Sequence, residues 1–140
     1  MRKEPDVNRL LLAGALTLLI VTPALTACAR DVPSTAPSIV GEVESLERAS
    51  SDGTTLTMLV RDRLEERGFP SGGEYDAASV RVTRDTRVFT GSARDPRTGT
   101  AEDIRGGDRV AVWFTGPVAE SYPVQATAGT VLVLGGRPAP

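Results

Sequence analysis

From Ser38 onward the apolar residues of this chain recur mainly at every second position, in short segments separated by turn residues. Side chains of a β-strand point alternately to the two faces of a sheet, so this period predicts strands. Ser51-Asp52-Gly53 separates two such segments, and aspartate and glycine tolerate the backbone of a tight hairpin. The pattern therefore predicts an all-β domain.

Five segments fit the pattern. They are residues 39–46, 54–60, 78–83 with a continuation through 86–90 after a bend at Arg84-Asp85, 109–114 and 125–134. The fourth and fifth segments are apolar on both faces, which favours a closed or strongly curled sheet over an open one. We expect Gly116-Pro117 to end the fourth strand, because proline donates no hydrogen bond to a sheet.

Two insertions separate the strands. Residues 61–76 combine a charged stretch with several glycines and a proline, and are expected to form a loop. Residues 100–107 are expected to form one short helix or turn, capped by Thr100 and stopped by Gly106. Five strands with such a turn before the fourth predict a small OB-like barrel over residues 39–135, followed by a frayed tail at 136–140.

The N-terminus has the layout of a secretory signal. Arg2, Lys3 and Arg9 precede an apolar run over residues 10–21 that contains no charged residue. As a helix this run would span about 18 Å, well short of the roughly 30 Å of hydrocarbon in a bilayer. A permanent transmembrane helix is therefore the weaker interpretation.

The leader ends in Leu25-Thr26-Ala27-Cys28, which resembles the lipobox of bacterial lipoproteins: an aliphatic residue, two small residues and the cysteine that receives diacylglycerol. The resemblance implies that a signal helix of residues 1–27 is cleaved and that lipid on Cys28 anchors the protein to the cell membrane or outer membrane, facing the extracytoplasmic side. Residues 28–38 would then be a flexible tether reaching roughly 30 Å. The alternatives are an ordinary signal peptide with a chance cysteine, or an uncleaved anchor.

Composition disfavours several classes of function. The chain has no histidine and a single cysteine, so most hydrolase and transition-metal sites would lack their central residue if Cys28 carries lipid. Without the leader, 13 basic and 16 acidic residues remain, a net charge of −3, which disfavours nucleic acid as a partner. We expect a protein that is not an enzyme and has no cofactor besides its covalent lipid.

Residues 107–126, with the sequence GDRVAVWFTGPVAESYPVQA, resemble a domain of unknown function found in the YobA-like family of small secreted bacterial lipoproteins. The shared features are a Gly-Asp turn, a strand with an aromatic residue near its end, Gly-Pro, and Glu-Ser-Tyr-Pro leading to Gln-Ala. Weaker matches at 39–41 and 86–88 extend the resemblance over most of the mature domain, and the 61–76 loop departs from it. The resemblance implies a small β-barrel lipoprotein with no assigned enzymatic activity.

The connection between the fourth and fifth strands places hydrogen-bonding groups beside aromatic rings. In one interpretation, Trp113 and Tyr122 stack on a sugar, base or peptide while Glu120, Ser121 and Gln125 complete a ligand-binding rim. In the other, Tyr122 packs over the end of the barrel and Glu120 caps backbone amides. An exposed aromatic patch would favour the first interpretation, and burial of both rings the second.

Other polar clusters are predicted to be solvated. Arg81, Arg84 and Arg87 flank Asp85, and the acidic residues of the 61–76 loop match no calcium-loop spacing. An enzyme using carboxylates alone would need two acids converging in a cleft with a raised pKa. The sequence therefore predicts a non-catalytic binding module for an unidentified envelope protein, peptide or glycan. The alternative is a purely structural or protein–protein interaction domain.

Overall fold

The computed structural model describes residues 32–49, 53–62 and 72–136. The predicted signal peptide, the predicted cleavage motif with Cys28, most of the 61–76 loop and residues 137–140 lie outside the described residues. In the part of the chain that is described, no helix is both long enough and apolar enough to cross a membrane.

The described residues form one β-sheet that closes on itself. In chain order its strands are β1 (Ile39–Arg48), β2 (Thr54–Arg61), β3 (Gly72–Gly73), β4 (Ala77–Thr83), β5 (Arg87–Ser92), β6 (Asp95–Gly99), β7 (Asp108–Ala119) and β8 (Val124–Gly136). Five of them close the barrel in the order β1-β2-β4-β8-β7 and back to β1. The β4–β8 pairing is parallel and the other four are antiparallel. The prediction of an all-β, five-stranded OB-like barrel is confirmed.

Besides the two-residue β3, which pairs with β1, two strands lie outside the barrel, and the sequence did not predict them as separate elements. β5 pairs with β8 in parallel, beyond the part of β8 that pairs with β4, and β6 pairs with β5. The predicted bend at Arg84-Asp85 is instead a full turn between two strands. Thr86 stabilises it, because its hydroxyl accepts a hydrogen bond from the Thr83 amide at 2.9 Å and donates one to the Ala128 carbonyl at 2.7 Å.

The expectation that Gly116-Pro117 ends the fourth strand is wrong. β7 continues to Ala119, although its register against β8 shifts: Thr115 pairs with Thr127, and Ala119 pairs with Gln125. Four steps along β7 thus oppose two steps along β8, which makes an irregular bulge around the proline. Gly116 has a φ of +70°, a conformation that glycine adopts without strain, so the chain bends and then rejoins the sheet.

The short helix predicted over residues 100–107 is a single 3-10 turn at Ala101–Asp103. The Thr100 amide donates a hydrogen bond to the Asp103 carboxylate at 2.8 Å. Helical structure stops before Gly106, because Ile104 has an extended backbone and places a fully buried side chain in the core. Burial of this apolar side chain therefore sets the end of the turn.

The barrel wall packs on both of its faces. The inner cluster fills the barrel and includes Val110 and Val112 of β7, together with residues of the other barrel strands and Ile104. The outer cluster consists of Phe89, Ala111 and Leu132, with Val32, Val40, Trp113 and Leu134 packed against it. Since side chains occupy the interior, a ligand of this barrel has to bind on its outside.

Candidate functional site

Trp113 lies on the outer face of β7, in the outer cluster. Its indole is half-buried, and its Nε1 donates a hydrogen bond to the backbone carbonyl of Thr35 at 2.9 Å. This arrangement agrees with the structural interpretation, in which the ring is packed rather than offered to a ligand. The partner of the indole is a residue 78 positions earlier in the chain.

Thr35 belongs to the N-terminal segment (residues 32–38), which falls within the predicted tether. Ser38 fixes the end of this segment to the barrel. Its amide donates a hydrogen bond to the Val112 carbonyl at 2.8 Å, and its hydroxyl accepts one from the Phe114 amide at 3.1 Å. Its carbonyl accepts a further bond from the Glu74 amide at 2.7 Å. The N-terminal segment is therefore held against β7.

A groove of about 480 Å³ lies between the N-terminal segment and the outer face of the sheet. We call it the outer groove. Its larger apolar side chains are those of Val32, Pro33, Pro37, Trp113, Leu132 and Leu134. None of its lining residues carries a charge, so the outer groove suits an apolar partner better than an ionic one.

The loop between β7 and β8 forms a second surface, at the end of the barrel. Tyr122 is 71% exposed, and its hydroxyl lies 3.4 Å from an Asp76 carboxylate oxygen. The Ser121 hydroxyl donates to the Pro123 carbonyl at 2.9 Å and lies 3.4 Å from the Gln125 amide nitrogen. We call Asp76, Glu120, Ser121, Tyr122 and Gln125 the loop rim, and in it an aromatic ring stands beside several polar groups.

The structure separates the two aromatic residues that the sequence analysis grouped together. Trp113 pairs with Thr130 of β8, whereas Ala119 pairs with Gln125 beside the loop, five residues earlier along β8. At about 3.3 Å per residue, this corresponds to roughly 17 Å along the strand. The loop rim brings together Ser121, Tyr122 and Gln125, whereas Trp113 belongs to the outer groove.

Asp76 is the residue of the loop rim that the sequence analysis did not place there. The sequence predicts it to belong to a solvated acidic loop, and it is 46 positions from Tyr122 in the chain. It reaches Tyr122 because β4 and β8 pair in parallel, with Ala78 opposite Val124, so that the residues just before these strands lie at one end of the barrel. A one-dimensional pattern carries no signal for this juxtaposition.

The arginine cluster from the sequence lies at the surface. Arg81, Arg84 and Arg87 are exposed, and a guanidinium nitrogen of Arg87 donates to the Thr130 hydroxyl at 3.2 Å. Among the described residues, no group of three or more histidine, cysteine, aspartate or glutamate side chains is arranged to hold a metal ion.

We expect Trp113→Ala to lower the free energy of unfolding by about 2 kcal/mol, less than for a fully buried tryptophan because the indole is only partly buried. Trp113→Phe keeps most of the ring packing and loses the bond to Thr35, so its expected loss is about 1 kcal/mol. Urea unfolding followed by circular dichroism measures both values. Equal losses in the two variants would contradict a packing role for the ring.

Comparison with known proteins gives one family match. The family described as "Protein of unknown function (DUF3221)" matches residues 54–135, which is more than half of the chain and covers β2 through nearly all of β8. No curated protein and no solved structure shows significant similarity to the chain. The matched region includes both the loop rim and the sheet side of the outer groove.

Proposed function

The chain belongs to the DUF3221 family of proteins of unknown function, and from this premise we propose that it is a membrane-anchored lipoprotein of the bacterial envelope whose β-barrel is a non-catalytic binding module. The family description assigns no activity, and the structure supplies the β-barrel. The proposal therefore rests on the chemistry of the leader and on the surface that the barrel exposes.

The leader supports the anchoring. Three basic residues, a twelve-residue apolar run and Leu25-Thr26-Ala27-Cys28 follow one another in the order found in lipoprotein precursors. A thiol is the side chain that can form a thioether with diacylglycerol, and two or three acyl chains on Cys28 would hold the protein firmly at a bilayer. The domain would then face the extracytoplasmic side of the cell membrane or outer membrane.

The absence of histidine from the whole chain supports a non-catalytic role. General base catalysis at neutral pH most often uses an imidazole, and nucleophilic serine or cysteine usually depends on one. With the single cysteine assigned to lipid, binding fits the remaining residues better than covalent chemistry does.

The observation that carries the binding function is Tyr122. It is the one large hydrophobic side chain that is strongly exposed among the described residues. It stands beside Asp76, Ser121 and Gln125, and Glu120 is exposed next to them. An exposed ring with hydrogen-bonding groups at its edge can stack on a sugar or peptide face and bond to its polar groups. We therefore place the binding surface on the loop rim, without Trp113.

A second function, as an interaction domain in an envelope assembly, is favoured by β6. This strand lies at the end of the sheet order and pairs with β5 alone among the described strands. An edge strand can accept a strand from a partner protein. Pro96 within β6 limits such pairing, because proline has no amide hydrogen to donate.

Titration calorimetry with soluble cell-wall glycan fragments and with short envelope peptides tests the binding function. We expect at least one of these probes to bind, and Tyr122→Ala to weaken that binding by about tenfold, since an aromatic contact contributes roughly 0.5–1.5 kcal/mol beyond its area. Tyr122→Phe keeps the ring and loses the contact with Asp76, so it separates stacking from hydrogen bonding.

Glu47→Gln, at an exposed position on β1, is the control for a surface change away from both the loop rim and β6, and should bind like the unaltered protein. Failure of every probe to bind the unaltered protein, or equal affinity of Tyr122→Ala, would contradict a binding function at the loop rim.

A further inference from the structure

The N-terminal segment fixes the place where the chain leaves the barrel. Val32 packs against the outer cluster, and Thr35 and Ser38 are hydrogen-bonded to Trp113 and to the backbone of β7. The part of the chain able to act as a spacer therefore ends at Val32, not at Ile39. The spacer between anchor and domain is correspondingly shorter than the predicted tether.

The remaining spacer is short compared with the domain. Cys28 is four residues before Val32, and four residues of fully extended chain span at most about 14 Å. A compact domain of about 100 residues has a radius of gyration of about 13 Å, which corresponds to roughly 30 Å across. If Cys28 is lipidated, Val32 cannot lie on the side of the barrel that faces away from the bilayer.

The surface around Val32 has the chemistry of a membrane contact. It contains the outer groove, whose lining residues are uncharged and include Pro33, Trp113 and Leu134. Tryptophan is favoured at membrane interfaces, where an apolar ring and a polar N–H group meet a mixed environment. Contact with lipid would also remove from water the apolar surface that the outer groove leaves accessible.

We propose that the outer groove is the membrane-facing surface of this protein and that it docks on the bilayer holding Cys28. This inference rests on the proposed lipid anchor. Lipid on Cys28 keeps the domain at the bilayer, and the docked N-terminal segment selects the face that meets it. The domain then sits against the lipid headgroups rather than at the end of a long tether.

The same orientation directs the loop rim away from the membrane. Gln125 lies near the beginning of β8, and Leu134 lies near its end, nine residues later. At about 3.3 Å per residue, these positions are roughly 30 Å apart along the strand. A groove docked on lipid leaves Tyr122 accessible to a ligand elsewhere in the envelope.

Fluorescence of the full-length protein in vesicles tests the docking, because Trp113 is the only tryptophan in the chain. The protein is isolated from bacterial membranes and reconstituted into phosphatidylcholine–phosphatidylglycerol vesicles, with or without bromine on the acyl chains near the glycerol. Bromine quenches an indole at close contact, so we expect Trp113 emission to fall strongly in the brominated vesicles. In the double variant Trp113→Phe with Tyr122→Trp, emission should not fall.

A charge placed on the wall of the outer groove should weaken the contact without removing the anchor. Ala93 is an exposed residue of that wall, and we expect Ala93→Glu to lose most of the quenching of Trp113. Ala119→Glu, at an exposed alanine near the loop rim, is the matched control and should keep the quenching. Circular dichroism shows whether each variant is folded.

Flotation of the vesicles separates the two ways in which the inference can fail. Protein that floats without quenching of Trp113, or with equal quenching at positions 113 and 122, overturns the docking and leaves the anchor intact. Protein that does not float overturns the anchor, and the docking with it. Flotation with quenching confined to position 113 supports both.

Discussion

Gly41→Ala is expected to lower the free energy of unfolding by about 3 kcal/mol, because a Cβ at this position has no room. It would lie 2.5 Å from the carbonyl oxygen and 2.6 Å from the carbonyl carbon of Arg61. Both are backbone atoms, so no side-chain rotation relieves the contact, and the end of β2 has to move. Gly41 pairs with Val110 of β7, and its neighbour Glu42 pairs with Arg61 of β2. The displacement therefore strains the point where the barrel closes.

Gly106→Ala is the matched control, because a Cβ at Gly106 would meet no atom within 4 Å. Its expected effect on stability is within about 0.5 kcal/mol, as for most surface substitutions. Urea denaturation followed by circular dichroism compares the two variants with the unaltered protein. Similar unfolding midpoints for Gly41→Ala and Gly106→Ala would contradict a steric clash between a Cβ at position 41 and the Arg61 carbonyl group.

Cys28→Ser is expected to release the protein from the membrane fraction almost completely while the barrel stays folded. A hydroxyl does not replace the thiol in thioether formation, and each acyl methylene buried in the bilayer contributes roughly 0.8 kcal/mol to membrane binding. Loss of two or three chains therefore removes far more binding free energy than contact by the outer groove can replace. Fractionation of cells, with detection of the protein in soluble and membrane fractions, measures the release.

Ala27→Gly provides the control, because it changes a neighbouring residue of the same motif while keeping it small. This variant should stay in the membrane fraction. Unchanged membrane retention of Cys28→Ser, or an intact mass of the finished protein that includes residues 1–27 or an unmodified thiol, would argue against lipid anchoring.

Four of the barrel strands could be predicted from alternation to within two residues. β1, β2, β4 and β8 begin and end close to residues 39–46, 54–60, 78–83 and 125–134. The signal was strong because alternate residues, such as Leu56, Met58 and Val60 of β2, are fully buried in the inner cluster. Burial of one face of a strand imposes the period of two that the sequence carries.

The elements that escaped prediction lack such a one-sided apolar face. β6 has no alternating apolar residues, and its side chains are exposed or half-exposed, so its sequence resembles a loop. The last part of β7 contains Gly116 and Pro117, a pair of residues that usually ends a strand. In both cases a neighbouring strand supplies the backbone hydrogen bonds, and the local sequence does not show that this pairing occurs.

The candidate sites, too, were predictable from the sequence only in part. The apolar outer face of β7 and β8 could be anticipated from Ala111, Trp113 and Leu132, but its covering by the N-terminal segment could not. That segment contains two prolines, and its sequence predicts a flexible spacer. In the structure, the indole of Trp113 instead donates a hydrogen bond to the backbone carbonyl of Thr35 in this segment. Backbone carbonyls are present at every position, so the sequence gives no sign of which one a distant donor selects.

By itself, the sequence determined the fold class, the bounds of four barrel strands and the match to the DUF3221 family, because these depend on local periodicity and on contiguous motifs. Only the tertiary structure decided that Trp113 and Tyr122 serve two separate surfaces and that Asp76 joins the second of them. The physical reason is that strand pairing and barrel closure set the distance between residues far apart in the chain, and no local pattern records those distances.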